Sequence, residues 1–137
     1  FGMCKMNNAS SRVFKTCYFN RWMEKTELTD ALLLNAIEEM KRGLIDADLG
    51  GGVFKKRVAL PNRGKSGSIR TLIATNKNDR WFFMLGFEKN QRDNINENEL
   101  KFLKQLSADL LQIAEQELLN SLKDKMLLEI VHEKKES

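Results

Sequence analysis

An α+β fold is predicted, in which a small twisted antiparallel sheet carries helices after its first strand and C-terminal helices packed on it. Three observations point there. Short runs of β-branched and aromatic residues, bounded by Gly, Asn and Pro turn signals, recur between residues 12 and 87. Helical spacing of apolar residues appears at 28–42 and again beyond Asn96. No internal repeat or linker divides the 137 residues, which suit one core.

The first strand is expected over residues 12–19, rich in β-branched and aromatic types, with a short helical stretch starting at Trp22 and Met23. Over 28–42, Leu28, Ala31, Leu32, Ile37 and Met40 line one side of a helix. Thr29 is placed to cap it, Leu28 and Leu33 to staple it, and Gly43 to end it. Gly50-Gly51-Gly52 then breaks the chain before a second strand at 53–60. A turn-rich loop at 61–67 leads to a third strand at 68–75, and Asn76-Lys77-Asn78-Asp79 forms a hairpin turn. The fourth strand, 81–87, is nearly all apolar and belongs in the middle of the sheet. Asn96 and Glu99 have capping-box spacing before a helix carrying Leu100, Leu103, Leu106, Leu110 and Ile113. A helix at about 115–124 and an apolar segment at 127–131 complete one domain over 12–131. Residues 1–11 are set aside as a tail or engineered remnant, since Phe1-Gly2 precedes Met3, and 132–137 as a charged tail.

Composition narrows the chemistry. With 42% hydrophobic and 31% charged residues, the chain reads as globular. Cys4 and Cys17 are too few for a disulfide scaffold, and no Cys/His group has metal-ligand spacing. A reducing cytoplasm is the expected home of a chain with so few Cys; no apolar run reaches the roughly 18 residues of a membrane span, and the N-terminus lacks the apolar core of a signal peptide. The only histidine, His132, falls in the charged tail, which argues against His-based catalysis. Gly64-Lys65-Ser66 is not a nucleotide loop, because Ala59 stands where the first glycine belongs and a strand follows. No cofactor is expected.

The net charge of +4 conceals an asymmetry: residues 49–78 hold seven Lys and Arg and no acid. Such a stretch focuses a positive field, and nucleic acid is its commonest polyanionic partner. Strand alternation puts Lys55 and Arg57 on one face and Phe54, Lys56 and Val58 on the other. Adjacent cations on one face repel unless an anion lies between them. Arg70 on the next strand supplies a third, and Arg63 or Lys65 a fourth from the loop. Lys56, Arg63, Lys65 and Arg92 count as auxiliary phosphate-binding cations, and Lys89 sits just after the fourth strand. The opposing reading pairs these cations with the acidic C-terminal helices. Trp81, Phe82, Phe83 and Phe87 are expected in the core, and Cys17 as a small buried hydrophobe.

Strand, helices and then three strands with cations on the second, together with the stretches Asp46-Ala47-Asp48-Leu49-Gly50-Gly51-Gly52-Val53-Phe54-Lys55-Lys56-Arg57, Arg63-Gly64-Lys65-Ser66-Gly67-Ser68-Ile69-Arg70-Thr71 and Gly86-Phe87-Glu88-Lys89-Asn90-Gln91-Arg92-Asp93-Asn94-Ile95, resemble the RelE/HigB-like toxins of bacterial type II toxin–antitoxin systems. The resemblance spans about 12–131. It implies ribosome-dependent cutting of mRNA in the A site, which arrests translation, and an antitoxin partner with a helix-turn-helix DNA-binding region. It also carries catalytic roles onto Lys55, Arg57 and Arg70, and more loosely Lys89. Arg63, Lys65 and Arg92 rest on charge alone.

Metal-free cleavage of this kind uses the RNA 2′-hydroxyl as nucleophile, leaving a 2′,3′-cyclic phosphate and a 5′-hydroxyl. Fixed Arg and Lys orient the bonds and stabilise the phosphorane. Lys55, made less basic by neighbouring cations, is the expected base, with Arg57 and Arg70 as clamps. The Tyr or His that several relatives carry near the C-terminal end of the sheet has no counterpart here, where only Tyr18 in the first strand and His132 in the tail are present, so Lys89 or a ribosomal group is left to protonate the leaving oxygen. The alternatives are a ParE-like gyrase inhibitor and a non-catalytic RNA- or ribosome-binding module.

Overall fold

The computed structural model describes residues 11–61, 68–92 and 94–131. The order of elements is β1 (Arg12–Thr16), α1 (Cys17–Met23), α2 (Asp30–Lys41), β2 (Ala47–Gly50), β3 (Val53–Val58), β4 (Ile69–Thr75), β5 (Arg80–Glu88), α3 (Glu97–Leu111), α4 (Glu115–Lys123) and β6 (Leu127–Ile130). The six strands form one sheet in the order β2-β3-β4-β5-β1-β6. The α+β reading holds, with one change of sense: β1 runs parallel to β5, and the other pairings are antiparallel. Parallel pairing requires a long crossover, and α1, α2 and the β2–β4 meander supply it.

Two cores lie on opposite faces, and neighbouring strand residues divide between them. Val13, Phe54, Ile73 and Phe83 face α1 and α2, joined by Phe19, Leu33, Ile37 and Met40. Phe14, Val53, Leu72 and Phe82 face α3 and α4, joined by Leu103, Leu110 and Leu118. β5 feeds both cores, so its apolar run has no polar alternation.

The first strand stops earlier than its composition predicts. Thr16 accepts a hydrogen bond from the Phe19 amide at 3.0 Å and caps α1, so Cys17, Tyr18 and Phe19 are helical. The buried pair Phe19 and Met23 has helical spacing, which outweighs the β-propensity of the aromatic residues. β2 is an additional strand that the sequence reading missed. Ala-Asp-Leu-Gly has little strand propensity, and pairing with β3 across the Gly50-Gly51-Gly52 turn creates it. Those glycines have φ of 88°, 63° and 82°, a region that L residues rarely occupy. β3 ends at Val58, short of the predicted residue 60.

Other local signals hold. Thr29 caps α2, Leu28 and Leu33 are both buried, and Gly43 follows the C-cap with φ 94°. Asn96 and Glu99 form a complete capping box on α3. No helix among the described residues is long and apolar enough to cross a membrane.

Candidate active site

β3 and β4 bring the sequence-predicted cations together by register. Arg57 pairs directly with Arg70, and Lys55 pairs with Leu72 two residues along the same face. On β5, Phe87 stands opposite Arg70 and Leu85 opposite Leu72. One face therefore carries a row Arg57, Arg70, Phe87, with Lys55 beside it.

This is the face on which α3 packs, but α3 covers only the start of β3. A side chain at Gly52 would meet Ser107 and Leu111 of α3, and one at Gly51 would meet Lys104. At the far end, among the described residues, Arg57 is exposed and Lys55 and Arg70 are half-buried.

Among the described residues charge compensation is partial. Arg57 lies 3.5 Å from Asp46, whose other oxygen accepts from the Arg57 amide at 2.6 Å. Arg70 donates to the Ser68 hydroxyl at 3.4 Å. Among the described residues neither Lys55 nor Arg70 makes an ion pair, and only Arg92 among the candidate cations pairs with a C-terminal helix. Asp46 escaped sequence reasoning because its role depends on the β2–β3 hairpin.

Lys56 is separated from this group. It is 6% exposed on the opposite face, and its ammonium lies 2.7 Å from Glu39 of α2. Its charge holds a helix to the sheet. Lys89 is exposed on the turn after β5, where the Gln91 amide donates to the Glu88 carbonyl. Arg63 and Lys65, like His132, lie outside the described residues.

Arg92 is close to the row. Its guanidinium lies 5.0 Å from the centre of the Phe87 ring and pairs with Glu99 through two contacts of 2.9 Å. Glu99 also accepts from the Asn96 amide at 3.0 Å. The hydrogen bond from Arg92 first, then that from Asn96, holds the Glu99 carboxyl below its ordinary range.

The same face holds an apolar cavity of about 530 Å³ between α3, the start of α1 and the α4–β6 turn. Leu85 and Glu99 lie on its lining, Cys17 lines its α1 side, and the exposed residues Tyr18, Phe102 and Met126 surround it. Cys17 is thus half-buried at the start of a helix, not a strand residue in the core.

Lys55, Arg57 and Arg70 thus cluster on one sheet face, on paired strands. Residues 11–130 match the family model described as RelE toxin of RelE / RelB toxin-antitoxin system. The chain belongs to the RelE toxin family. No curated protein matches it in sequence. As a RelE-family toxin, it is one half of a toxin–antitoxin module and has an antitoxin as partner. The match takes in every element from β1 to β6, and with them Lys55, Arg57, Arg70, Lys89 and Arg92.

Proposed function

We propose that this RelE-family chain is a ribosome-dependent mRNA endonuclease that inhibits translation. The observation that carries the reading is the open sheet face on which Arg57 and Arg70 stand directly opposite, with Lys55 alongside. Like charges in that position destabilise a sheet, so their placement is explained best by a phosphate between them.

In this reading Arg57 and Arg70 hold the scissile phosphate and stabilise the charge that builds on its oxygens. Lys55 takes the proton from the 2′-hydroxyl. The 2′-oxygen attacks phosphorus in line and the bond to the 5′-oxygen breaks, giving a 2′,3′-cyclic phosphate. The leaving 5′-oxygen takes a proton from Lys89 or from the ribosome. Arg92 is an auxiliary cation, as are Arg63 and Lys65, which enter on charge alone. Lys56 drops out of the phosphate set, because Glu39 engages it on the other face. The antitoxin, carrying a helix-turn-helix DNA-binding region, covers the cation face with acidic residues in the cytoplasm.

The test is to map mRNA 5′ ends in a cell-free translation reaction, with wild type beside a Lys55/Arg57/Arg70 triple alanine variant. The expected result is new ends within codons that require ribosomes and vanish with the variant. Intact mRNA with wild type would overturn the reading in favour of binding without cleavage. Replacing Lys55 with Arg separates proton transfer from charge, since retained cleavage would remove the base assignment.

A further inference from the structure

Glu99 belongs to α3, yet both of its oxygens are directed at groups around the sheet's open end. One accepts from Arg92 Nη1 and from the Asn96 amide, and the other lies 2.9 Å from Arg92 Nη2. A two-point carboxylate–guanidinium contact fixes the plane of the guanidinium as well as its position. The Arg92 guanidinium is therefore held on two sides, by the Glu99 fork and by the Phe87 ring at 5.0 Å. Phe87 is itself 3% exposed and sits opposite Arg70. The chain Glu99, Arg92, Phe87, Arg70 thus links the first turn of α3 to the cation row.

We infer that Glu99 is a positioning residue for the cleavage site, fixing Arg92 over Phe87 so that its remaining N–H groups serve the same phosphate region as Arg70. The inference rests on the proposed endonuclease reading. A guanidinium has five N–H donors, and the Glu99 fork leaves some of them free. With Arg92 side-chain exposure at 36%, solvent and RNA can reach it. The pairing also lowers the energy of holding Arg92 over Phe87 at the edge of the cation row, because Glu99 offsets part of its positive charge. An unpaired Arg92 would be one more mobile cation. A paired one is a directed donor.

The closing experiment is ribosome-dependent cleavage measured with wild type, Glu99→Gln, Arg92→Lys, Arg92→Ala, the Arg92→Ala/Glu99→Gln double variant and the Lys55/Arg57/Arg70 triple alanine variant. Glutamine retains the capping box, so Glu99→Gln removes the charged fork and leaves the helix start intact. The expected result is a fall of about tenfold in kcat with KM for programmed ribosomes unchanged, as for lost orientation at the reacting centre. Arg92→Lys keeps the charge, loses the planar fork and should fall equally. In the Arg92→Ala background, adding Glu99→Gln should change the rate by less than about twofold, since Glu99 then has nothing to act through. Asn96→Ala weakens the cap alone and should leave kcat unchanged.

Wild-type rates for Glu99→Gln or Arg92→Lys would overturn the inference while the triple variant stays inactive and the endonuclease reading stands. So would an Asn96→Ala loss equal to that of Glu99→Gln, which would make Glu99 a helix cap only. Full additivity of the double variant would also overturn it. A triple alanine variant that cleaves like wild type would instead remove the reading on which the inference rests.

Discussion

Arg57 of β3 and Arg70 of β4 are direct cross-strand partners on an open sheet face. Opposite residues in an antiparallel pair bring their Cβ atoms to about 5 Å, where like charges destabilise by a few tenths of a kcal/mol to about 1 kcal/mol. Asp46 offsets the charge of Arg57 from one side at 3.5 Å, and among the described residues Arg70 donates to the Ser68 hydroxyl and makes no ion pair. The face therefore carries a stability cost that a bound anion would remove.

Replacing Arg70 with Leu should raise the unfolding free energy by about 0.5 kcal/mol, because the repulsion with Arg57 disappears. The same variant should lose mRNA cleavage. Urea unfolding beside the 5′-end assay checks both, and a destabilised Arg70→Leu protein would contradict the account of the pair.

Lys56 and Lys55 are adjacent in sequence and opposite in consequence. Lys56→Met removes a buried ammonium from Glu39, whose side chain is 34% exposed and can rehydrate, so the expected loss is about 1–2 kcal/mol. Cleavage by the folded fraction should persist. Lys55→Met should leave the urea midpoint nearly unchanged and abolish cleavage. Equal behaviour of the two variants would erase the division between faces.

Gly86 lies beneath the indole of Trp22, whose ring occupies the space a Cβ would need. Gly86→Ala should destabilise by roughly 1–3 kcal/mol through overpacking. Combining it with Trp22→Leu should recover part of that loss. Thermal or urea unfolding of the two single variants and the double variant measures the coupling.

Glu99 also sets a pH dependence. Its carboxyl is held below the ordinary value of 4.5, first by the hydrogen bond from Arg92. A carboxylate with a lowered folded-state value contributes stability that is fully present above its unfolded value. That contribution is lost as pH falls through the folded value. The stability difference between wild type and Glu99→Gln should therefore be largest at neutral pH and shrink below pH 4.5. Urea midpoints measured at neutral and acidic pH check this, and a difference that grows on acidification would reverse the sign.

Signals that operate over a few residues were legible in the sequence. The Asn96/Glu99 capping box, the Thr29 cap with Leu28 and Leu33, the Gly43 terminator and the apolar run of β5 all appear where the residue types place them. The cation face was also legible, since a period of two assigns Lys55 and Arg57 to one side of β3 without further information. Cys17, Tyr18 and Phe19 were not, because a Thr16 cap competes with β-propensity and the packing of Phe19 and Met23 decides between them. β2 was invisible for a related reason: its four residues are a strand only because β3 offers hydrogen bonds to them.

By itself the sequence determined the class of fold, the faces of β3 and the concentration of positive charge at residues 49–78. These follow from the geometry of single elements and from counting. Tertiary structure alone decided that β1 runs parallel to β5, that Glu39 takes Lys56 out of the cation group, and that Glu99 reaches Arg92. Each of those joins residues on different elements, and side chains far apart in the chain meet only after the sheet order and helix packing have been chosen by burial of the two cores.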